Sequence, residues 1–431
     1  MPSDRVCILG AGSSGIVALK TLLEAGIPAV ALEKGSGIGG NWRYENDNGM
    51  SAAYRSLHIN TSKERMAYAD FPMPSEYPEY PHHTQVLAYF ESYVDHFGIR
   101  EAIRFETSVE RVRRVDDEWE VAFRDSSGQH VERFRAVLVA NGHHWKAKLP
   151  AFSGHFAGPT VHAHDYRTAD PYEGKRVLIV GIGNSAVDIA CEVCRVAPWV
   201  GVSTRRSAHI FPKYFFGKPV DHFTTPALSK LPLKMQSALV QAMLLVARGR
   251  QSDYGVPEPA HGLTAAHPTI SDELLHFVGH GRIHIRSDIE SLEDDGVRFV
   301  DGSREPVDAI IYATGYEMAF PFLDPGAVDV RGNDVRLYHR VVPLDHEGLY
   351  FVGLVQPLGA IMPLAEVQSK WIAGLLRGTH RLPSRAAMEK EIARYRASLA
   401  RRYVGSTRHT IQVDFHPYLA EIEREMRKSA V

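Results

Sequence analysis

The chain has 431 residues, enough for two or three domains, and its 44% hydrophobic and 23% charged content is that of an ordinary globular protein. With 49 basic and 51 acidic residues the formal net charge is −2, so nothing in the balance selects nucleic acid or an anionic membrane as partner. Three cysteines (Cys7, Cys191, Cys194) are too few for a disulfide-stapled secreted fold and point to a reducing compartment.

An apolar run at 6–9 opens directly into Gly10, Gly12 and Gly15, followed by a helical pattern (Ile16, Leu19, Leu22, Leu23) and a second apolar run that ends at Glu33. With a first strand this early, no signal peptide is expected. In a strand–turn–helix–strand context the glycines acquire a mechanism. Gly10 makes the tight turn, Gly12 admits a pyrophosphate, and Gly15 lets the helix approach the strand. The free N–H groups and positive dipole of the helix start then favour phosphate. Glu33 stands where a carboxylate can accept hydrogen bonds from ribose hydroxyls. The stretch is read as an ADP-binding unit.

Residues 43–81 are irregular and rich in Tyr, Pro, Met and Ser, a loop long enough to be expected to line a site. A helix is expected at 84–97, stopped by Gly98, and then a β-meander over 108–140 with a turn at 126–128 and a buried closing strand at 136–142. A second glycine turn follows: Val177 to Val180 runs into Gly181, Gly183 and Ala186. A strand at 199–202 precedes Ser203, Thr204, Arg205 and Arg206. Residues 212–270 read as an insertion with an amphipathic helix near 227–248, whose apolar residues are expected to pack into a core, the alternatives being that they cover a substrate tunnel or touch a membrane. A helix at 271–279 and a buried strand at 309–316 close this part. The interval from Gly10 to Gly142 is 132 residues and that from Gly181 to Gly315 is 134, an internal repeat of the whole plan. Beyond 320 come a strand (349–352), a Pro/Gly loop and a helix (363–376), expected to return to the first domain. No stretch can span a bilayer: 237–247 is too short and is interrupted by Gln241, and the ending EIEREMRKSAV is charged. The expected location is cytoplasmic.

The expected fold class is therefore α/β, with two Rossmann-like dinucleotide-binding domains, the second inserted into the first. The boundaries are 1–152, 153–318 and 319–431. Two dinucleotides in one chain suggest hydride transfer from a nicotinamide to a flavin. Glu33 would repel a ribose 2′-phosphate and suits FAD. Arg205 and Arg206, with no acid at the matching place, suit the 2′-phosphate of NADPH. Cys191 and Cys194 have the C-x-x-C spacing of a disulfide reductase. Their expected place mid-helix is that of small buried hydrophobes instead. A non-catalytic flavin and NADPH sensor is the further alternative.

The segment Phe156–Tyr166 fits F-x-G-x-x-x-H-x-x-x-[YF] through Phe156, Gly158, His162 and Tyr166. It resembles the fingerprint of the flavin-containing monooxygenases, class B flavoprotein monooxygenases. The likeness extends over GAGSSG (10–15), GGNW (39–42), the Asn60 stretch, GIGNSA (181–186), ATGY (313–316) and QPLGAIMP (356–363). Related Baeyer–Villiger enzymes, which act on ketones, typically end the fingerprint in Trp, so Tyr166 favours heteroatom oxygenation. The resemblance implies that NADPH reduces FAD and that dioxygen adds at flavin C4a. The resulting hydroperoxide then oxygenates an amine nitrogen or thioether sulfur, indole being a further candidate. It implies FAD contacts at Gly10, Ala11, Gly12, Ser13, Ser14, Gly15, Glu33, Gly40, Asn41, Trp42, Asn60, Thr61, Val109 and Gln356. It implies NADPH contacts at Gly181, Gly183, Asn184, Ser185, Ala186, Arg205 and Arg206. Asn60 corresponds to the active-site asparagine, and no metal is expected. His162 and Tyr166 are expected to be structural. Partners are a small amine or thioether and O2, with no nucleic acid, and a homodimer is implied as possible.

Overall fold

Val6–Leu9 is buried at all four positions and lies at the centre of a parallel five-stranded sheet. Ala136–Val139 and Ala29–Leu32 flank it, with Leu349–Phe351 and Ile103–Arg104 at the edges. Strands that are apolar throughout, rather than alternating, belong to a sheet covered on both faces. Helix Ser13–Glu24 covers one face and is itself covered by Met362–Leu376 from the far end of the chain. On the other face lies the antiparallel meander Ser108–Val115, Glu118–Asp125 and Gly128–Phe134. Its Trp119, Val121 and Phe123 alternate inward onto Cys7, Leu9, Val137 and Phe351. The structure, a computed structural model, describes residues 3–324, 326–328, 330–403 and 410–429.

The second glycine turn is built the same way. Arg176–Val180 is central in a second parallel sheet, between Ala309–Tyr312 and Trp199–Ser203, with Thr160–His162 and Ile283–Arg286 outermost. The outer strand comes from the return segment in the first sheet and from the residues ahead of the glycine turn in the second. That strand is the middle of the Phe156–Tyr166 fingerprint. Phe156 enters the apolar cluster of Leu178, Trp199 and Phe299, while Tyr166 enters the separate cluster of Ile179, Val187 and Ile311. A side chain at Gly158 would crowd the Phe156 ring and the Asp308 carbonyl.

The chain divides into two compact units: Met1–Ser51, Thr61–Lys146 and Glu317–Val431 form one, and Ala52–Asn60 with Ala147–Tyr316 the other. The fold class expected from sequence is the one observed, the second unit interrupting the first. The boundaries differ in one respect that bears on the site. Residues 52–60, read as part of the first domain, group with the second unit.

Two local readings are corrected. The insertion helix is shorter, Leu233–Arg248, and does not pack into a core: only Leu244 is buried, while Met235, Leu239, Leu245 and Val246 are 46–76% exposed. Its apolar period set the helix correctly but not the surface it meets. The C-terminal helices Arg385–Arg402 and Phe415–Ser429 were not foreseen, because their apolar positions are diluted by charges. No helix among the described residues is long and apolar enough to cross a membrane.

Candidate functional site

In the first unit Gly10 turns the chain at φ +101°, a region closed to most side chains. A Cβ at Gly15 would run into the Gly10 carbonyl oxygen, so helix and strand touch through backbone alone. Helix Ser13–Glu24 starts at Gly12 with no side-chain cap, which leaves its first N–H groups available to an anion. Gly40, at φ +52°, lies against it: a Cβ there would sit 3.0 Å from the Gly12 Cα. Gly39 N donates to the Ala11 carbonyl at 3.1 Å, which ties the GGNW turn to the glycine turn. Within that turn Asn41 is exposed and Trp42 half-buried. The Tyr68 hydroxyl donates to the Ser13 carbonyl at 2.6 Å, and Ser14 Oγ is packed so closely that only glycine fits at Gly353. These features fit a pyrophosphate.

Glu33 is 3% exposed. Its Oε2 accepts from Ala11 N at 2.7 Å, and its Oε1 accepts from Gly35 N at 2.9 Å and from Asn48 Nδ2 at 3.0 Å. Each carboxylate oxygen has two lone pairs, so one acceptor position remains on Oε2. Glu33 is thus a turn-organising group with capacity for one ribose hydroxyl. Thr61 is buried and Asn60 half-buried. Val109 lies on the meander strand Ser108–Val115 and packs partly against the first unit's core. Half-buried Gln356 opens the short strand Gln356–Leu358, whose partner is Gln412–Asp414.

In the second unit Gly181 takes φ +121° and leads to helix Asn184–Val193, again uncapped at Gly183. Ala186 is buried at the position of Gly15, while Ser185 is exposed. Asn184 has a local partner: its Oδ1 accepts from Ile270 N at 2.8 Å, tethering the strand that ends the insertion. Arg205 and Arg206 follow Trp199–Ser203 directly, both exposed, and neither guanidinium is in an ion pair among the described residues. His162 is buried and its Nδ1 accepts from His164 N at 3.0 Å, a local anchoring bond.

Cys191 lies in the last turn of helix Asn184–Val193 and Cys194 caps its C-terminus, rather than mid-helix. This end of a helix disfavours a thiolate. Both thiols are buried, and burial pushes Cys191 above the ordinary range and Cys194 up to about 11. A dithiol reaction centre is not built here. Changing both to alanine, which buries no new hydroxyl, is expected to leave NADPH oxidation within about twofold, as measured at 340 nm.

Among the described residues one trio, His339, Glu391 and Glu421, brings three possible metal-ligand atoms within 4.8 Å of one another. A cation is already there. The Arg340 guanidinium lies 3.1 Å from Glu391 and 3.3 Å from Glu421, so the group is an ion-pair cluster.

Two parallel-sheet units, each with an uncapped helix behind a glycine turn, define a protein that handles two dinucleotides. The flavin-binding monooxygenase-like family matches residues 3–429. The chain is 38% identical over 441 residues to flavin-containing monooxygenase 5 of Oryctolagus cuniculus, covering 98% of this chain and 82% of that protein. It is 33% identical over 443 residues to dimethylaniline monooxygenase [N-oxide-forming] 2 of Pan troglodytes, covering 98% and 83%. Among solved structures it resembles the S-allyl-L-cysteine S-oxygenase of Allium sativum (27% identity, TM-score 0.75, covering 100% of this chain and 90% of that one). It shares its fold with a cyclohexanone monooxygenase at 18% identity and TM-score 0.72, covering 99% and 98%. The chain belongs to the flavin-containing monooxygenase family. It is an oxidoreductase, a monooxygenase that uses FAD and NADPH.

No motif marks Tyr54, Asp188 and Glu192, which join through Tyr54 and Asp188 and through Ser56, Tyr166 and Glu192. The only available signal was the four-residue spacing of two acids on the helix after the second glycine turn.

Proposed function

We propose that this monooxygenase oxygenates soft nucleophiles, amine nitrogens or thioether sulfurs, holding FAD in the first unit and NADPH in the second. The observation that carries the cofactor assignment is the contrast after the two second strands. Buried Glu33 closes the first against a 2′-phosphate, while Arg205 and Arg206, exposed and in no ion pair among the described residues, follow the second. When bound, the flavin supplies redox chemistry and dioxygen activation once NADPH has reduced it. The residues bind and orient. Gly10, Ala11, Gly12, Ser13, Ser14 and Gly15 present the pyrophosphate turn, and Gly40, Asn41, Trp42, Thr61, Val109 and Gln356 extend the flavin site. Gly181, Gly183, Asn184, Ser185 and Ala186 form the second turn.

Asn60 has an amide that donates and accepts at once, suited to holding a reactive oxygen group while water is kept out. Asn60→Ala is expected to retain FAD but to lower oxygenated product per NADPH about tenfold or more, with the difference released as hydrogen peroxide. Unchanged product per NADPH would remove Asn60 from the site.

Two relatives carry N-oxide formation and S-oxygenation in their names, which supports the heteroatom reading, as does Tyr166. The cyclohexanone enzyme is too distant in sequence to bear on substrate. Assaying amines, thioethers, indole and cyclic ketones for NADPH-dependent oxygen insertion tests this. N-oxides or sulfoxides are the expected products, and lactones alone would overturn the reading. Three buried, unpaired thiols support a cytoplasmic setting.

A further inference from the structure

The stretch Ala52–Asn60 belongs to the second unit without forming a helix or strand there. Its attachment is specific. The Tyr54 hydroxyl donates to Asp188 Oδ2 at 2.7 Å, and the Ser56 hydroxyl donates to Glu192 Oε2 at 2.8 Å. Asp188 and Glu192 are four residues apart on helix Asn184–Val193, so they share one face. This is the helix whose start forms the second glycine turn. The Tyr166 hydroxyl, at the end of the fingerprint, donates to the same Glu192 Oε2 at 2.9 Å. The Tyr54 ring meets Tyr166 edge-on, with centroids 6.0 Å apart. Arg55 N donates to the Arg167 carbonyl at 2.8 Å, continuing the attachment through backbone. Tyr54 is 4% exposed and Tyr166 1%.

A buried tyrosine hydroxyl is costly to leave unpaired, and the half-buried Asp188 and Glu192 carboxylates supply its acceptors, so this tether is strongly specified. Burial pushes the Asp188 carboxyl up to about 6, and the Tyr54 hydrogen bond opposes that rise.

We infer that Tyr54 and Asp188, seconded by Ser56, Glu192 and Tyr166, are positioning residues that fix Asn60 to the nicotinamide-binding unit. The inference rests on the role given to Asn60 above. On this view Asn60 travels with the second unit's helix, although its sequence neighbour Thr61 belongs to the first unit. The last position of the fingerprint also acquires a physical reason: Tyr166 holds Glu192 in place for Ser56 and supports the Tyr54 ring.

The test uses Tyr54→Phe, Asp188→Leu and the double variant; Phe and Leu keep nearly the outline of the side chains they replace and neither donates nor accepts a hydrogen bond. Hydrogen exchange of the backbone amides at 55–60, measured on the protein without NADPH, is expected to quicken about tenfold in each. Product per NADPH is expected to fall severalfold, while KM for NADPH and FAD content stay within about twofold. The double variant should be no worse than either single one, because both remove one bond. Unchanged exchange at 55–60 overturns the tether. Faster exchange with full product per NADPH, in an enzyme whose Asn60→Ala variant is uncoupled, overturns the positioning role. A rise in KM for NADPH parallel to the uncoupling also overturns it, by placing the effect in the dinucleotide turn. If Asn60→Ala is itself fully coupled, the reading of Asn60 fails, and the exchange data still decide the tether.

Discussion

Changing both Arg205 and Arg206 to alanine is expected to raise KM for NADPH by about two orders of magnitude and to leave the use of NADH nearly unchanged. Each guanidinium that grips a phosphate makes a charge-assisted contact worth roughly a factor of ten at an exposed position. The local backbone is made to hold this pair. Thr204 N donates to the Arg286 carbonyl at 3.0 Å, and Ser207, at φ +55°, donates its N–H to Thr204 Oγ1 at 3.0 Å, closing a turn around the two arginines. Neither arginine has a carboxylate partner among the described residues, so their removal strands no charge. Steady-state kinetics with both nucleotides check this. Equal losses with NADPH and NADH would mean that the arginines serve the fold, and no loss with either would place the 2′-phosphate elsewhere.

Arg340→Met is expected to cost on the order of 3 kcal/mol of stability, felt first in the C-terminal helices. Arg340 is 2% exposed and pairs with Glu391 of helix Arg385–Arg402 and Glu421 of helix Phe415–Ser429. It also stacks over Tyr395 at 4.1 Å and Tyr418 at 5.1 Å. Its removal leaves His339 alone against Glu391, Glu421 and Glu425. Arg394→Ala, by contrast, removes an exposed partner of Glu421 and should cost less than about 0.5 kcal/mol. Thermal unfolding and exchange rates over Phe415–Ser429 distinguish the two. Equal, small effects would show that the cluster is not needed.

The same cluster sets a pH window. Burial works against the charge on His339, but hydrogen bonds to Glu421 and Glu425 outweigh it and hold its pKa above the ordinary value. Its stabilising contribution is therefore complete below the ordinary imidazole value and is lost as pH rises through the raised one. For Glu421 burial raises the pKa, yet contacts with His339 and Arg340 prevail and lower it. That contribution is complete above the ordinary carboxylate value and is lost as pH falls through the lowered one. The C-terminal helices should be firmest between about pH 4.3 and 6.5, the ordinary values for Glu and His. His339→Gln should flatten the alkaline side.

Much of the fold was legible without coordinates. Runs such as Val6–Leu9 and Ala136–Val139 are apolar at every position, and a glycine placed after such a run is a local signal. The insertion helix and the cysteine pair show where this stops. Periodicity located Leu233–Arg248 but did not decide what its apolar side would meet, and spacing alone placed Cys191 and Cys194 mid-helix instead of at its end.

By itself, the sequence determined the two glycine turns, their common plan, the family and its cofactors, because turn conformation and strand burial are written in neighbouring residues. Tertiary structure alone decided three things. It engaged Glu33 with Ala11, Gly35 and Asn48, and it gathered Arg340 and three glutamates at the C-terminal helices. It also assigned Asn60's stretch to the second unit through Tyr54 and Asp188, 134 residues apart. The physical reason is the same in each case. These are hydrogen bonds and ion pairs between distant residues, and their partners are chosen by burial and packing rather than by any local preference.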